Sequence, residues 1–513
     1  MVEGVRDKRR AVNRGRHGES AVLELLSGLS GQLAIGALLL LFIALITYRT
    51  TTRGGAAHNG SAKDVYLAGG GLKWLFVAGS ITLTNLSTEQ LVGMNGNQML
   101  LLAWWEIAGF CGLMFLAYVM VPVYYKTGCT TVTELLEQRY GGGSIRTLIG
   151  ALFFIGAITV YMPAALYSGS LFLKTMFAVD WPLWYFAAPL GIAAALYTVT
   201  GGLRAVAVMD TYSGIGVLSI AVLVVVLALN AIHWDFSGIP AERLSMIGAK
   251  DSPIPFHTLF TGMVFIQIFY WSTNQPITQK AMTAPTVKEA QKGVLAAAAV
   301  RILIIPMIVV VPGVVGYKLF GDVNDAAYGR VVAAVLPHWL TGAFAALMAA
   351  AVIGHTAAIL NGTVALYAVD FHAKFIAPVK DHWRLSAIVS SLLTLGAILL
   401  VPVFENATSI INLLQMLNGL ASMPILSAFI VALLFRGVGA WAAVAGVVWG
   451  VLFYAALNTV TLPGVLASLH YIDLMLITLI TSILVALAFN RLALGGRADF
   501  VGWKGMVPSD HGG

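Results

Sequence analysis

Charge is what this sequence has least of. Asp, Glu, Lys and Arg make up 10% of its 513 residues, against roughly a quarter in soluble domains. Hydrophobic residues account for 59%, and the mean hydropathy is +0.85. That balance excludes a soluble globular protein and leaves a polytopic membrane protein. Cysteine is nearly absent: Cys111 and Cys129 are too few for a disulfide framework and lack metal-ligand spacing. No nucleophile–base constellation, metal-ligand cluster or phosphate-cradling glycine loop stands out, so an enzyme is not expected. The net charge of +7 comes from basic residues scattered over short connections. With no basic face interleaved with aromatics, it argues against a nucleic-acid partner.

What the chain has instead is long apolar runs. Residues 1–30 read as a basic tail, expected to be mobile, and the first run covers 33–48. A long basic lead-in, no small-residue cleavage site and the following Arg49 and Arg53 favour a retained helix over a signal peptide. Further runs long enough to span a bilayer lie at 74–98, 101–125, 146–177, 181–200, 208–232, 255–283, 293–318, 341–372, 383–402, 406–435, 439–458 and 471–490. The expected fold is all-α, with about thirteen transmembrane helices in one domain over 31–490 and a polar tail over 491–513. Glu134 to Tyr140 reads as a short surface helix.

Lys and Arg sort strongly by loop. One alternating set holds most of them, from Arg49 and Arg53 through Arg204, Lys280, Lys288 and Lys292 to Arg436 and Arg491, while the other holds Lys174, Arg243, Lys250, Lys318 and Arg330. The positive-inside rule makes the first set cytoplasmic, which puts the N-terminus outside and the C-terminus inside. The basic N-terminal tail runs against this, and the many loops outweigh it.

Two runs are interrupted. Between Ser80 and Gly96, Thr82, Thr84, Asn85, Ser87, Thr88, Glu89 and Gln90 crowd a stretch with apolar residues on both sides. From Gln267 to Gln279, polar side chains mix with Pro276, which removes a backbone donor. Broken helices at membrane depth are tolerated where they line a protein cavity, and they are where secondary transporters place their sites. Each interruption opens a five-helix stretch, about 74–232 and 255–435, as an inverted repeat requires.

Four stretches carry a resemblance: NLSTEQLVG from Asn85, YWSTNQPITQKAMTAPTVKEAQKG from Tyr270, GGLRAVAVMD from Gly201 and LNGTVALYAVDF from Leu360. On these the chain resembles the sodium/solute symporter family, in particular the bacterial sodium/galactose symporters, over roughly Leu33 to Asn490. The resemblance implies a LeuT-type fold of two inverted five-helix repeats with two discontinuous helices. A hexose pocket needs carboxylates and amides for directional hydrogen bonds and an aromatic face for C–H surface. Glu106, alone in an apolar span, is a functional candidate on its own terms; an ion pair with Arg301 that only joins helices is the other reading.

Carried over by residue, the resemblance implies sugar ligands at Gln90, Glu106, Gln267, Arg301 and Gln415, and a gate at Tyr270. Arg301 stands where the family pattern has Lys, Gly109 where it has Ser, and Tyr161, a further pocket position, where it has Asn. The implied ion-coupling site comprises Leu83, Leu86, Ala351, Gly354 and His355, with Thr356 as a possible hydroxyl donor. Gly354 and His355 replace the sodium-binding hydroxyls, and imidazole is a poor ligand for a hard cation but carries protons. Asp210 matches an acidic position that serves a second ion in some members and is read as that, as structural or as part of an internal proton route.

The expected function is secondary active import of a monosaccharide or related polyol across the plasma membrane by alternating access. Its partners would be the sugar, a monovalent cation and the bilayer, with Na+ expected from the resemblance, H+ as the alternative, and no resident cofactor. A proton-coupled or facilitative carrier is the alternative function, and a non-transporting sugar sensor a more remote one.

Overall fold

The computed structural model describes residues 28–502 apart from 53–66, 68–69, 87, 249–251, 253, 408 and 460–468. Most of the basic N-terminal tail and the end of the C-terminal tail lie outside the described residues.

The first helix, α1, is Leu29–Thr52. The first interrupted run is two helices, α2 (Trp74–Asn85) and α3 (Thr88–Gly96). Helix α2 stops at Leu86, whose ψ of 54° leaves helical geometry, so the last carbonyls of α2 lack intrahelical partners. Then follow α4 (Leu100–Thr127), the short α5 (Val132–Tyr140) and α6 (Gly143–Met176). Helix α5 begins with a capping box between Thr131 and Glu134 and buries Leu135 and Leu136, so it is an amphipathic element wedged under the bundle.

Residues Trp184–Ala231 form α7, which holds the two expected spans as two helical segments. The two segments meet at Gly202, whose φ of 56° and ψ of −163° only glycine adopts without strain. The polar GGLR stretch thus connects the two segments by a sharp bend.

The second interrupted run is α8 (Gly262–Ser272) and α9 (Gln275–Ala281). The break falls at Thr273 and Asn274, and Pro276 sits in the first turn of α9, where its missing N–H costs nothing. Beyond it come α10 (Val287–Phe320), α11 (His338–Ile376), α12 (His382–Glu405), α13 (Ile410–Leu434), α14 (Ala440–Thr459) and α15 (Tyr471–Leu492). Ten helices among the described residues are long and apolar enough to cross a membrane, and the two broken pairs lie between them. Helix α11 packs along α7 and α1, α2 against α7 and α10, and α4 against α8. Polar backbone at the two breaks is thereby enclosed by protein.

Candidate functional site

A partly enclosed cavity lies where the two breaks approach each other. Glu89 and Gln90 from the start of α3 meet Gln267 and Tyr270 of α8 across it. Trp105, Tyr161, His355 of α11 and Gln415 and Asn418 of α13 line the rest of it. The wall mixes amides, two phenols and an indole, with aliphatic cover from Ile266, Ile359 and Leu414.

Behind Gln90 stands a buried ion pair. Arg301 Nη2 is 2.6 Å from Glu106 Oε2, with side-chain exposures of 5% and 0%. Gln90 Nε2 donates to Glu106 Oε1. Glu106 and Arg301 are not among the cavity-lining residues; they stand one shell further out and orient what lines it. The Arg301 guanidinium lies over the Trp271 ring, 4.4 Å from its centroid. Trp271 Nε1 donates to Gln267 Oε1 at 3.0 Å, and Gln267 Nε2 donates to the Trp105 carbonyl at 2.9 Å. A continuous relay thus fixes both glutamine amides.

With its NH2 group committed to Glu106, Gln90 turns its carbonyl free: Oε1 is buried and has no hydrogen-bond partner among the described residues. The same holds for Glu89 Oε1, His355 Nδ1 and Asn418 Oδ1. Gln415 Oε1 accepts from Asn418 Nδ2 at 3.3 Å. Unanswered buried polar atoms are costly unless a ligand or water completes them. The arrangement therefore suits a small ligand rich in hydroxyl groups, which both donate and accept.

Gly109 explains itself here. A Cβ on it would stand 2.3 Å from Arg301 Nε, so its smallness makes room for the guanidinium. Gly109 and Arg301 thus fit one another in space.

The ion-coupling candidates divide into two groups. His355 faces the cavity with Nε2 3.5 Å from Glu89 Oε1. Gly354 faces away, where a Cβ would stand 2.3 Å from Asp210 Oδ1. Leu83, Leu86 and Ala351 are buried, and Thr356 Oγ1 is buried without a hydrogen-bond partner. Asp210 lies outside the cavity and is paired with Lys280, whose Nζ is 2.8 Å from Oδ2.

Lys280 corrects an expectation. Counted among the loop charges, it is 1% exposed and held inside the bundle, because the second half of a broken helix carries it inward. Sequence reasoning also left Glu89 and Asn418 unassigned. Glu89 was visible as an acidic residue within the first break, and Asn418 as an amide three residues beyond Gln415.

The sequence pattern of the sodium:solute symporter family matches residues 65–450. The chain belongs to that family. The symporter is 32% identical over 443 residues to the uncharacterized symporter YidK of Escherichia coli, an alignment covering 82% of this chain and 77% of that protein. It is 28% identical over 481 residues to a sodium/glucose cotransporter of Vibrio parahaemolyticus, covering 86% of each. A solved structure of a Na+-coupled sialic acid symporter in a substrate-bound outward-open state superimposes with a TM-score of 0.77 at 16% identity, over 92% of this chain and 99% of that one. Mhp1, a nucleobase-cation-symport-1 family transporter, does so with a TM-score of 0.52 at 15% identity, over 82% and 93%. The fold is thus LeuT-type, two inverted repeats each opened by a broken helix, and the symporter is a multi-pass membrane transporter and not an enzyme.

Proposed function

We propose that this symporter imports a monosaccharide or related polyol across the plasma membrane, driven by a sodium gradient, with the N-terminus outside and the C-terminus in the cytoplasm. The observation that carries the proposal is Gln90: its NH2 group is held by Glu106, and its carbonyl is buried, unpartnered and part of the cavity wall. A sugar hydroxyl donating to that oxygen completes it. Gln267, Gln415 and Asn418 add further amides, and Tyr161, Tyr270 and Trp105 supply flat apolar surface for the C–H face of a ring. The sodium/glucose cotransporter of Vibrio parahaemolyticus and a sodium/myo-inositol cotransporter 2 of Mus musculus, 25% identical over 469 residues, add weight to a polyhydroxylated cargo.

In this reading Glu106 and Arg301 are positioning residues, Gln90, Gln267 and Gln415 bind the cargo, and Tyr270 covers it. Sodium is a second cargo, held by backbone carbonyls at the end of α2 near Leu83 and Leu86 and by α11 near Ala351. Backbone and hydroxyl oxygens suit a hard cation, and the end of α2 supplies carbonyls released from helix bonding.

A second reading, proton coupling, rests on the 3.5 Å approach of Glu89 and His355, which places a carboxylate and an imidazole in the cavity wall. Uptake of radiolabelled glucose, galactose and inositol into proteoliposomes, under a sodium gradient, a proton gradient or neither, separates the readings.

A further inference from the structure

Lys280 is among the largest fully buried side chains of the described residues. Its ammonium lies 2.8 Å from Asp210 Oδ2 and 3.3 Å from the Ser80 carbonyl. Ser80 Oγ donates to the same Oδ2 at 2.9 Å. Asp210 Oδ1 is buried without a hydrogen-bond partner among the described residues and lies against Gly354. Four helices converge on this one carboxylate: α2 through Ser80, α7 through Asp210, α9 through Lys280 and α11 through Gly354. Two of them, α2 and α9, are halves of the two broken helices.

The ammonium meets a carboxylate and a backbone carbonyl, and the Ser80 hydroxyl bonds the same carboxylate oxygen. That is the donor set of a hard monovalent or divalent cation, and a lone buried carboxylate cannot stay charged without a positive partner. We propose that Asp210 and Ser80 form a cation site that this chain fills with its own Lys280 ammonium, so that this position takes up no free ion during transport.

Geometry supports the assignment in two ways. The ammonium reaches the carboxylate only because α9 begins afresh at Asn274, after the break, and turns Lys280 toward α7. Gly354 is what lets the carboxylate approach α11, since any side chain there would meet Oδ1. The tethered cation joins a half of each broken helix to the second segment of α7, beyond the Gly202 bend, and to α11. A free ion could leave such a junction during the cycle; the lysine leaves only if α9 moves with it. The proposal concerns a site outside the sugar cavity and does not depend on which solute is carried.

The test uses the purified full-length protein. Its unfolding temperature is followed in NaCl, in methylammonium chloride and in N-methyl-D-glucamine chloride at one ionic strength. Lys280→Ala leaves Asp210 and Ser80 in place and vacates the ammonium's position. It is expected to lose stability in N-methyl-D-glucamine and to recover with Na+ or methylammonium by an increment that the wild type does not show. The double variant Lys280→Ala/Asp210→Asn removes both charges and is expected to fold with the wild type's cation response. A folded Lys280→Ala protein that responds to cations no more than the wild type overturns the proposal. If Lys280→Ala cannot be purified, the double variant decides: recovery of folding supports the tethered cation, and a double variant as impaired as the single one overturns it. Because the readout is cation-dependent stability, failure of every sugar to be transported would refute the proposed cargo and leave this result standing.

Discussion

Arg301 occupies the space that a side chain on residue 109 would need: a Cβ at Gly109 would stand 2.3 Å from its Nε. The pair sits behind the cavity wall, where Arg301 is held by Glu106 at 2.6 Å and by the face of Trp271. Gly109→Ser is therefore expected to destabilise the protein by about 1–3 kcal/mol, the usual cost of overpacking. Gly109→Ser combined with Arg301→Lys is expected to regain most of that loss, since the slimmer lysine vacates the contact. Thermal unfolding of the two single variants and the double variant gives the coupling energy, and additive effects would separate the two positions.

Glu106→Gln leaves the Arg301 guanidinium buried without its counter-charge. Removing one partner of a buried pair costs about 3–5 kcal/mol, so the variant is expected to unfold at markedly lower temperature. Glu106→Gln/Arg301→Met is expected to be more stable than Glu106→Gln alone yet to bind sugar less tightly, because a neutral carbonyl holds the Gln90 NH2 group more weakly than the carboxylate does. Denaturation and equilibrium binding on the same preparations check both halves of that statement.

Gln90→Ala removes the one amide whose carbonyl is left open by the ion pair. A lost hydrogen bond to a buried group is worth about 1–3 kcal/mol, which corresponds to roughly 5- to 150-fold weaker cargo binding. Stability should change little by comparison. Isothermal titration with the transported sugar measures the first quantity, and an unchanged affinity would remove Gln90 from the site.

Asp325 lies in the connection between α10 and α11, where Oδ2 accepts from the Ile410 N–H at 2.9 Å. Burial raises its pKa from 3.8 to about 7, the Ile410 bond opposing this only in part. The folded state thus holds a proton that the unfolded state has already lost, so stability falls as pH rises from about 4 to about 7, by about 1.4 kcal/mol per pH unit within that window. Asp325→Asn keeps an acceptor for Ile410 and is expected to flatten this slope. Unfolding temperatures at a series of pH values will show it; an identical slope in the variant would assign the pH dependence to other groups.

His355→Ser restores a hydroxyl to α11 and removes the imidazole 3.5 Å from Glu89. The expected outcome is tighter sodium dependence of uptake, read as a lower sodium concentration at half-maximal rate. No change in either sodium or proton dependence would show that His355 has no part in coupling.

The breaks in the two discontinuous helices were legible because membrane depth makes polar side chains expensive: Thr88, Glu89 and Gln90 in the first and Asn274 and Gln275 in the second stand out against apolar flanks. Helix breaks of this kind pointed to the place where Gln90, Gln267 and Tyr270 line one cavity. What hid was anything set by contact between distant positions. Nothing along the chain ties Gly109 to Arg301, or Asp210 to Lys280, and these pairs exist only once α4 meets α10 and α7 meets α9. Lys280 was counted with the loops because charge sorting treats a cation near polar residues as solvated, and a buried partner on another helix defeats that rule. A glycine pair beside Arg204 reads as a connection between two spans, and the structure makes that connection as a sharp bend at Gly202.

The central claim is that the cavity between the two broken helices carries a polyhydroxylated solute into the cell with sodium. Proteoliposomes holding the purified protein, given radiolabelled glucose, galactose or inositol under an inward sodium gradient, test it directly. Accumulation of at least one of them above equilibrium, abolished when the gradient is collapsed and strongly reduced in Gln90→Ala, is the predicted result. Absence of uptake and binding for every sugar and polyol tried, in protein that remains folded, would contradict it.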